Sequence, residues 1–312
     1  MNKAIALYYQ GRRSEAGALV TLALEVALAA DLPEAALRAY YNRAEFRCAM
    51  ASIAEGVRDI ESGLALARER GSRAWERDLL SQSVQIDVLR GEWEGALVAA
   101  QSLDVPGAEE SHRLAVANLP VIFAARGELA ALEAAIAAAP PPSEWSELRT
   151  LETLAQAVAR SAKGQPAQAA DLVTSVADEL AHLSTVPVAV FLLDAVDILL
   201  VAGRRDVASR LTGGDLPEPP LMAPLRLQAK AILHADAGAH IAAEEAFRVA
   251  LSEQRKIESP FTLARCLHHL GALLRAGSDP DEGFELLREA DELFERLGAA
   301  AWLERNRAQV AA

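Results

Sequence analysis

Apolar and small residues recur along this chain at intervals of three and four, in stretches that glycines interrupt. Residues so spaced share one face of a helix, so each stretch predicts an amphipathic helix. The last third shows the pattern best. Ala231-x-x-His234-x-x-x-Gly238 leads into Ala243-x-x-x-Phe247-x-x-Ala250, and Leu270-Gly271-x-x-Leu274 leads into Gly283-x-x-x-Leu287-x-x-Ala290. Gly11, Gly91, Gly127, Gly164, Gly203, Gly238 and Gly277 each close one such stretch and open another, as a residue in the left-handed conformation at a helix end does. Apart from one doubled interval, they recur every 35 to 40 residues. The doubled interval fills in the same frame, with Ala51 at the turn, Gly56 five positions later and Gly63 seven beyond that. Five positions after a turn glycine stands Ala16, Ala96, Ala169, Ala208 or Ala243, small enough for two helices to cross closely; after Gly127 it is Leu132.

The pattern predicts an all-α chain of about eight antiparallel helix pairs across residues 1–298, with turns near Gly11, Ala51, Gly91, Gly127, Gly164, Gly203, Gly238 and Gly277, and a capping helix in residues 299–312. Pro140 to Pro142 and Pro217 to Pro220 mark loops where helix cannot continue. The last helix carries Trp302 and Val310 beside Glu304, Arg305, Asn306, Arg307 and Gln309, a polar outer side suited to a terminal cap. At the other end nothing precedes the first helix to cover Ile5, Tyr8 and Tyr9, so the array is expected to begin mid-repeat, as a piece of something longer. An elongated particle is expected.

Composition agrees with helix. Hydrophobic residues make up 52% with alanine dominant, and only 5% are aromatic. The net charge is -13 and the 31 basic residues are scattered, which argues against direct nucleic-acid binding. Neither a signal core nor a run of 18 apolar residues occurs, so a cytoplasmic chain without a membrane partner is expected. Cys48 and Cys266 are expected to be reduced and packed as small hydrophobes. Arginine far outnumbers lysine, which with the alanine excess points to a GC-rich bacterial genome.

The spacing of small and bulky residues in the two strings around Gly238 and Gly277 resembles the tetratricopeptide repeat, and the resemblance extends over nearly the whole chain. It departs in replacing most of that family's aromatics by aliphatics and in exceeding its usual spacing of about 34 residues. From Ser259 to Ala308 the match narrows. Ser259-Pro260-Phe261, Leu263-Ala264-Arg265, Leu270-Gly271, Leu274-Arg275, Phe294-Glu295-Arg296-Leu297-Gly298-Ala299 and Trp302-Leu303-Glu304-Arg305 look like the closing repeat of large bacterial LuxR-type and nucleotide-cyclase-like signalling ATPases. The resemblance implies a right-handed superhelix and a role in signalling or transcription regulation. No phosphate-binding Gly-x-x-x-x-Gly-Lys-Ser/Thr loop occurs and the chain stops before any helix-turn-helix, so nucleotide or DNA functions are expected to lie in other segments.

Candidate chemistry is thin. Glu109 with His112, and Glu179 with His182, have the Glu-x-x-His spacing of di-iron bundles, but one pair opens a helix and the other closes one. Cys266 and His269 share a face beside His268, too few ligands for a metal site. Asp194 and Asp197 could act as an acid–base pair, yet paired carboxylates on a polar helix face are usually solvated. Gly213-Gly214-Asp215 has no following helix or lysine to cradle a phosphate. Trp75, Trp93 and Trp145 are read as core rather than ligand-stacking residues. No catalytic residue, metal or cofactor is therefore expected.

In the tetratricopeptide frame the first helix of each pair lines the inner wall, where polar groups are not needed for packing. That frame puts Arg38, Tyr41, Asn42, Glu45, Asp78, Ser81, Gln82, Gln85 and Asn118 on the early half, Leu151, Leu154, Val158 and Ser161 in the middle, and Asp194, Asp197, Gln228, Arg265, His268 and Arg275 later. Amides, hydroxyls and a tyrosine suit an extended peptide. The lysines by which chaperone-binding members hold a terminal carboxylate have no counterparts. A non-catalytic protein-interaction scaffold binding a peptide or partner domain is the leading expectation; the alternative is a sensor enclosing a small molecule, and an enzyme comes third.

Overall fold

The computed structural model describes residues 2–137, 143–183, 185–213 and 218–311. The expected loop at Pro140 to Pro142, Pro217 of the second loop, and Gly214 with Asp215 lie outside these residues. All regular structure among the described residues is helical. Helices α1 (Asn2–Tyr9) and α2 (Arg13–Ala29) flank Gly11, α3 (Pro33–Ala49) and α4 (Ile53–Arg70) flank Ala51, and α5 (Arg73–Arg90) and α6 (Trp93–Ser102) flank Gly91. The fourth pair opens with a split helix, α7 (Glu109–Val116) and α8 (Leu119–Arg126), before Gly127 and α9 (Leu129–Ala137). Helices α10 (Ser146–Ala162) and α11 (Pro166–Ser175) flank Gly164, and a short α12 (Ala177–His182) follows. Then come α13 (Val186–Val201) and α14 (Arg205–Arg210) around Gly203, α15 (Met222–Asp236) and α16 (His240–Gln254) around Gly238, α17 (Pro260–Arg275) and α18 (Pro280–Leu297) around Gly277, and last α19 (Ala300–Ala311).

All eight predicted turns thus separate helices that pack together. Most turn glycines have the positive φ that closes a helix, but Gly277 does not. There Asp279 takes over: its side chain accepts the Glu282 N–H and Pro280 starts α18. Ala51 adopts the left-handed conformation, φ 61°, without being glycine. The small positions do what the spacing predicts, since Ala16, Ala96, Ala169, Ala208 and Ala243 are all fully buried. At Gly283 an added Cβ would come within 2.7 Å of the Gly271 carbonyl oxygen. The break between α7 and α8 has a local cause. Pro120 offers no N–H to the preceding turn, and Asn118 N–H bonds Ala115 O rather than Leu114 O. The Asn118 side-chain amide donates to the orphaned Leu114 carbonyl at 2.9 Å.

The array bends back on itself. Helix α13 packs on its neighbours α10, α11 and α15 and also on α3 and α5, while α17 meets α5 and α19 meets α8. Gly91 lies directly against Leu297 and Pro260, and Trp93 meets Phe261 edge-on at 5.4 Å. Leu221 N–H donates to the Ala49 carbonyl at 3.0 Å. One continuous apolar cluster runs from Ala44 to Trp302. The expected elongated particle is therefore corrected: the accessible surface of 13787 Å² is only about a tenth above the roughly 12,600 Å² of a globular monomer of 33.3 kDa.

Both ends differ from expectation. Tyr8 is covered, stacked on Phe46 with centroids 4.4 Å apart, whereas Tyr9 is exposed. Helix α19 turns Glu304, Arg305, Arg307 and Gln309 outward as expected, but Asn306 is buried with Trp302 against α17 and α18. Asp194 and Asp197, expected to be solvated, both accept from Arg265 at 2.9 and 2.8 Å. Arg265 is 1% exposed and lies over the Trp302 ring. Burial pushes the Asp197 carboxyl up, against the pull of Arg265. Removing the arginine leaves two partly buried carboxylates close together without their cation, and since solvent reaches them the cost falls below the roughly 3–5 kcal/mol of a fully buried pair. Arg265→Leu is expected to lower the urea midpoint accordingly; an unchanged midpoint contradicts this role.

Candidate functional site

On α3, the residues Arg38, Tyr41, Asn42 and Glu45 follow one another at three- and four-residue steps, and so do Trp75, Asp78, Ser81 or Gln82, and Gln85 on α5. Each set therefore occupies one helix face. Helix α7 adds Glu110, Ser111 and Leu114, and Asn118 follows in the same frame. At the leading ends of these helices the faces diverge around a cavity of about 310 Å³, closed at its sides by Ile5 and Trp145. Arg38, Tyr41, Asn42, Asp78 and Ser81 line it, so five of the nine residues expected on the early wall come together there.

The other four do not join them. Gln85 and Asn118 are buried, and Glu45 is half-buried beneath Tyr41. Helix α13, packed on α3 and α5, fills the wall expected to stay open on those two helices, and Asn118 is enclosed at the α7–α8 break, where α8 packs on α10. Glu45 Oε1 accepts the Val186 N–H at the start of α13, 3.3 Å away, a carboxylate set against a helix N-terminus. Glu45 thus helps seat α13 and is not the free groove residue the sequence implied. Gln82 is also buried, donating to the Tyr41 carbonyl at 3.1 Å. One continuous early groove is replaced by a cavity at one end and packed interior beyond it.

The cavity lining is aromatic and acidic. Tyr41 and Trp75 rings stand 6.1 Å apart, tilted, and Trp145 is partly exposed at the rim. The reading of Trp93 as core holds, for it is buried with its indole N–H on the Val88 carbonyl, but Trp75 and Trp145 face this cavity. The Trp75 indole N–H donates to Glu34 Oε2 at 2.6 Å, which fixes the ring. Asp78 Oδ1 accepts from Ser111. Ser81 is 1% exposed, and its hydroxyl has no hydrogen-bond partner among the described residues. Burial first, then the negative charges of Glu45, Asp78, Glu147 and Glu110, push the Tyr41 phenol up, so it stays protonated.

The later wall is occupied as well. Asp194, Asp197, Trp302 and Arg305 border a void of about 100 Å³, and the carboxylates are taken up by Arg265. His268 faces Asn306 Oδ1 at 2.9 Å, His269 stacks on Phe247, and burial lowers the affinity of both imidazoles for a proton. Cys266 is buried beside the Phe247 carbonyl. Gln228 is bonded to Gln254, and Arg275 reaches the Val310 carbonyl. Leu151, Leu154 and Val158 are core. Of the Glu-x-x-His residues, His182 contacts the Asp178 carbonyl, while Glu109 and His112 border a cavity of about 510 Å³ between α6 and α10, where Arg113 and Glu152 pair at 2.6 Å. No helix among the described residues is long and apolar enough to cross a membrane.

Set beside known proteins, the chain matches no family model, and no curated protein is significantly similar to it.

The Glu45 carboxyl is held up at about 7, first by burial and then by repulsion from Glu147, with the Val186 N–H and Gln82 working against the rise. A folded-state value above the ordinary 4.5 means that the folded chain holds this proton more tightly. The resulting stabilisation is complete below the unfolded value and is lost as pH climbs from about 4.5 to about 7. Glu45→Gln keeps an oxygen for Val186 and removes the charge. Wild type is expected to lose stability relative to Glu45→Gln across that window, by at most about 3 kcal/mol at 1.36 kcal/mol per unit. Parallel curves of melting temperature against pH for the two proteins contradict it.

Proposed function

We propose that the chain is a non-catalytic protein-interaction scaffold, built as a tetratricopeptide-like right-handed superhelix, that receives a projecting residue of a partner protein in the cavity at Tyr41. The observation that carries this is the convergence of three successive first helices on one cavity with an aromatic floor and a buried hydroxyl lacking a partner among the described residues. Cavities of about 300 Å³ and upward, mostly pre-formed and with few polar groups, are where proteins take ligands. The packed interior beyond the cavity favours a short projecting segment over a peptide lying along the wall. With Asp194 and Asp197 both held by Arg265, no set of nucleophile, base and oxyanion donors among the described residues supports an enzymatic reading. A regulatory role rests on the sequence resemblance, and a cytoplasmic bacterial setting on the sequence alone.

One observation favours a second reading. The closure of the array makes the cavity small, a size that also suits a metabolite, as in a small-molecule sensor. The two readings separate by panning random linear peptides displayed on phage against the protein and screening metabolites by thermal shift. The scaffold reading predicts enriched peptides whose affinity falls about 30-fold in Tyr41→Ala, the equivalent of about 2 kcal/mol for truncating an aromatic anchor. Metabolites that raise the melting temperature of wild type and not of Tyr41→Ala, with no Tyr41-dependent peptide, would establish the sensor instead.

A further inference from the structure

The hydrogen-bonding character of the cavity narrows what it takes. The charge of its lining is net negative: Asp78 and Glu110 line it against one cation, Arg38, and Glu110 and Arg38 are both exposed at the rim, where solvent screens them alike. The half-buried carboxylates of Asp78 and Glu45 lie deeper. Most donors are already engaged, the Trp75 N–H by Glu34, the Asn42 amide by the Arg38 carbonyl and the Ser111 hydroxyl by Asp78. Deep in the lining, the Ser81 hydroxyl is buried with no partner among the described residues, and a buried hydroxyl left unbonded is destabilising. A ligand that supplies the missing hydrogen bond removes that penalty. The remaining surface is the rings of Tyr41, Trp75 and Trp145 with Ile5 and Leu114. Aromatic faces attract cations and carboxylates pair with them, while both disfavour an anion.

We infer that the cavity binds an organic cation with N–H donors on a short apolar stem, a primary alkylammonium or guanidinium group. The stem lies against Ile5, Leu114 and the rings, the charged head meets Asp78 and Glu110, and Ser81 Oγ accepts one N–H. This rests on the cavity being the binding site proposed above. Two sources share the chemistry: the side chain of a lysine or arginine on a protein partner, and a free alkylamine.

The test titrates the purified full chain with n-pentylammonium, 1-pentanol, pentanoate and a lysine-centred tripeptide amide, followed by NMR chemical shifts. Pentylammonium or the tripeptide is expected to bind at least tenfold more tightly than pentanol, and pentanoate not measurably. Asp78→Asn with Glu110→Gln is expected to remove at least tenfold of the affinity for the cation and none of that for pentanol. Ser81→Ala is expected to weaken the cation several-fold. Glu110→Gln alone changes an exposed side chain and keeps the test valid should the double variant fold poorly. Pentanol or pentanoate binding as well as the cation, or variants that leave cation affinity unchanged, overturns the inference. Tighter binding of the tripeptide supports a partner's side chain as the source and tighter binding of pentylammonium supports a free amine. Tyr41-dependent peptides that carry no basic residue would sink the cation while leaving the scaffold standing, and pentylammonium binding without any peptide would do the reverse.

Discussion

Helix α13 has no polar face to give to water. Its sixteen residues are apolar on every side except for Asp194 and Asp197, and a helix apolar all round must be buried all round. Neighbouring pairs in a linear array can cover only part of such a helix, so earlier first helices must come back to cover the rest. That need accounts for the contacts of α13 with α3 and α5, and for the meetings of α17 with α5 and α19 with α8 that accompany them. Arg265 answers the two carboxylates that the helix does carry, and Trp302 lies over its guanidinium. The closed interior is what turns an expected groove into a single cavity at the open ends of α3, α5 and α7.

Local signals in the chain carried the helix pairs. A turn residue every 35 to 40 positions and a small residue five later are consequences of one hairpin, so Gly11 through Gly277 and Ala16 through Ala243 could be read from spacing. The same logic grouped residues of one helix face. Arg38 with Tyr41, and Asp78 with Ser81, share such a face because residues three and four apart on a helix point one way. The split of the fourth first helix was also signalled, by Pro120, although the sequence reading passed over it.

What spacing within a repeat cannot carry is how far-apart repeats meet. Nothing near Glu45 announces that Val186, 141 residues later, will present an N–H to it, and nothing near Trp93 announces Phe261. One signal was available: the run from Val186 to Val201 is too apolar for a helix with one face in solvent. Read for its consequence, it argues against an open groove and would have moved Gln85 and Asn118 into the interior. Trp75 and Trp145 were assigned to the core on the general tendency of tryptophan to be buried, a tendency that gives way where helix ends diverge.

The closure is the claim on which the cavity, the partly buried carboxylates and the seating of Glu45 all depend, and small-angle X-ray scattering on the monomeric chain tests it most directly. A closed array of 312 residues is expected to give a radius of gyration near that of a globular chain of equal length, about 20 Å, with a near-symmetric distance distribution. A clearly larger radius, with a distribution tailing to long distances, would mean that the first helices of distant pairs do not meet and that the groove stands open.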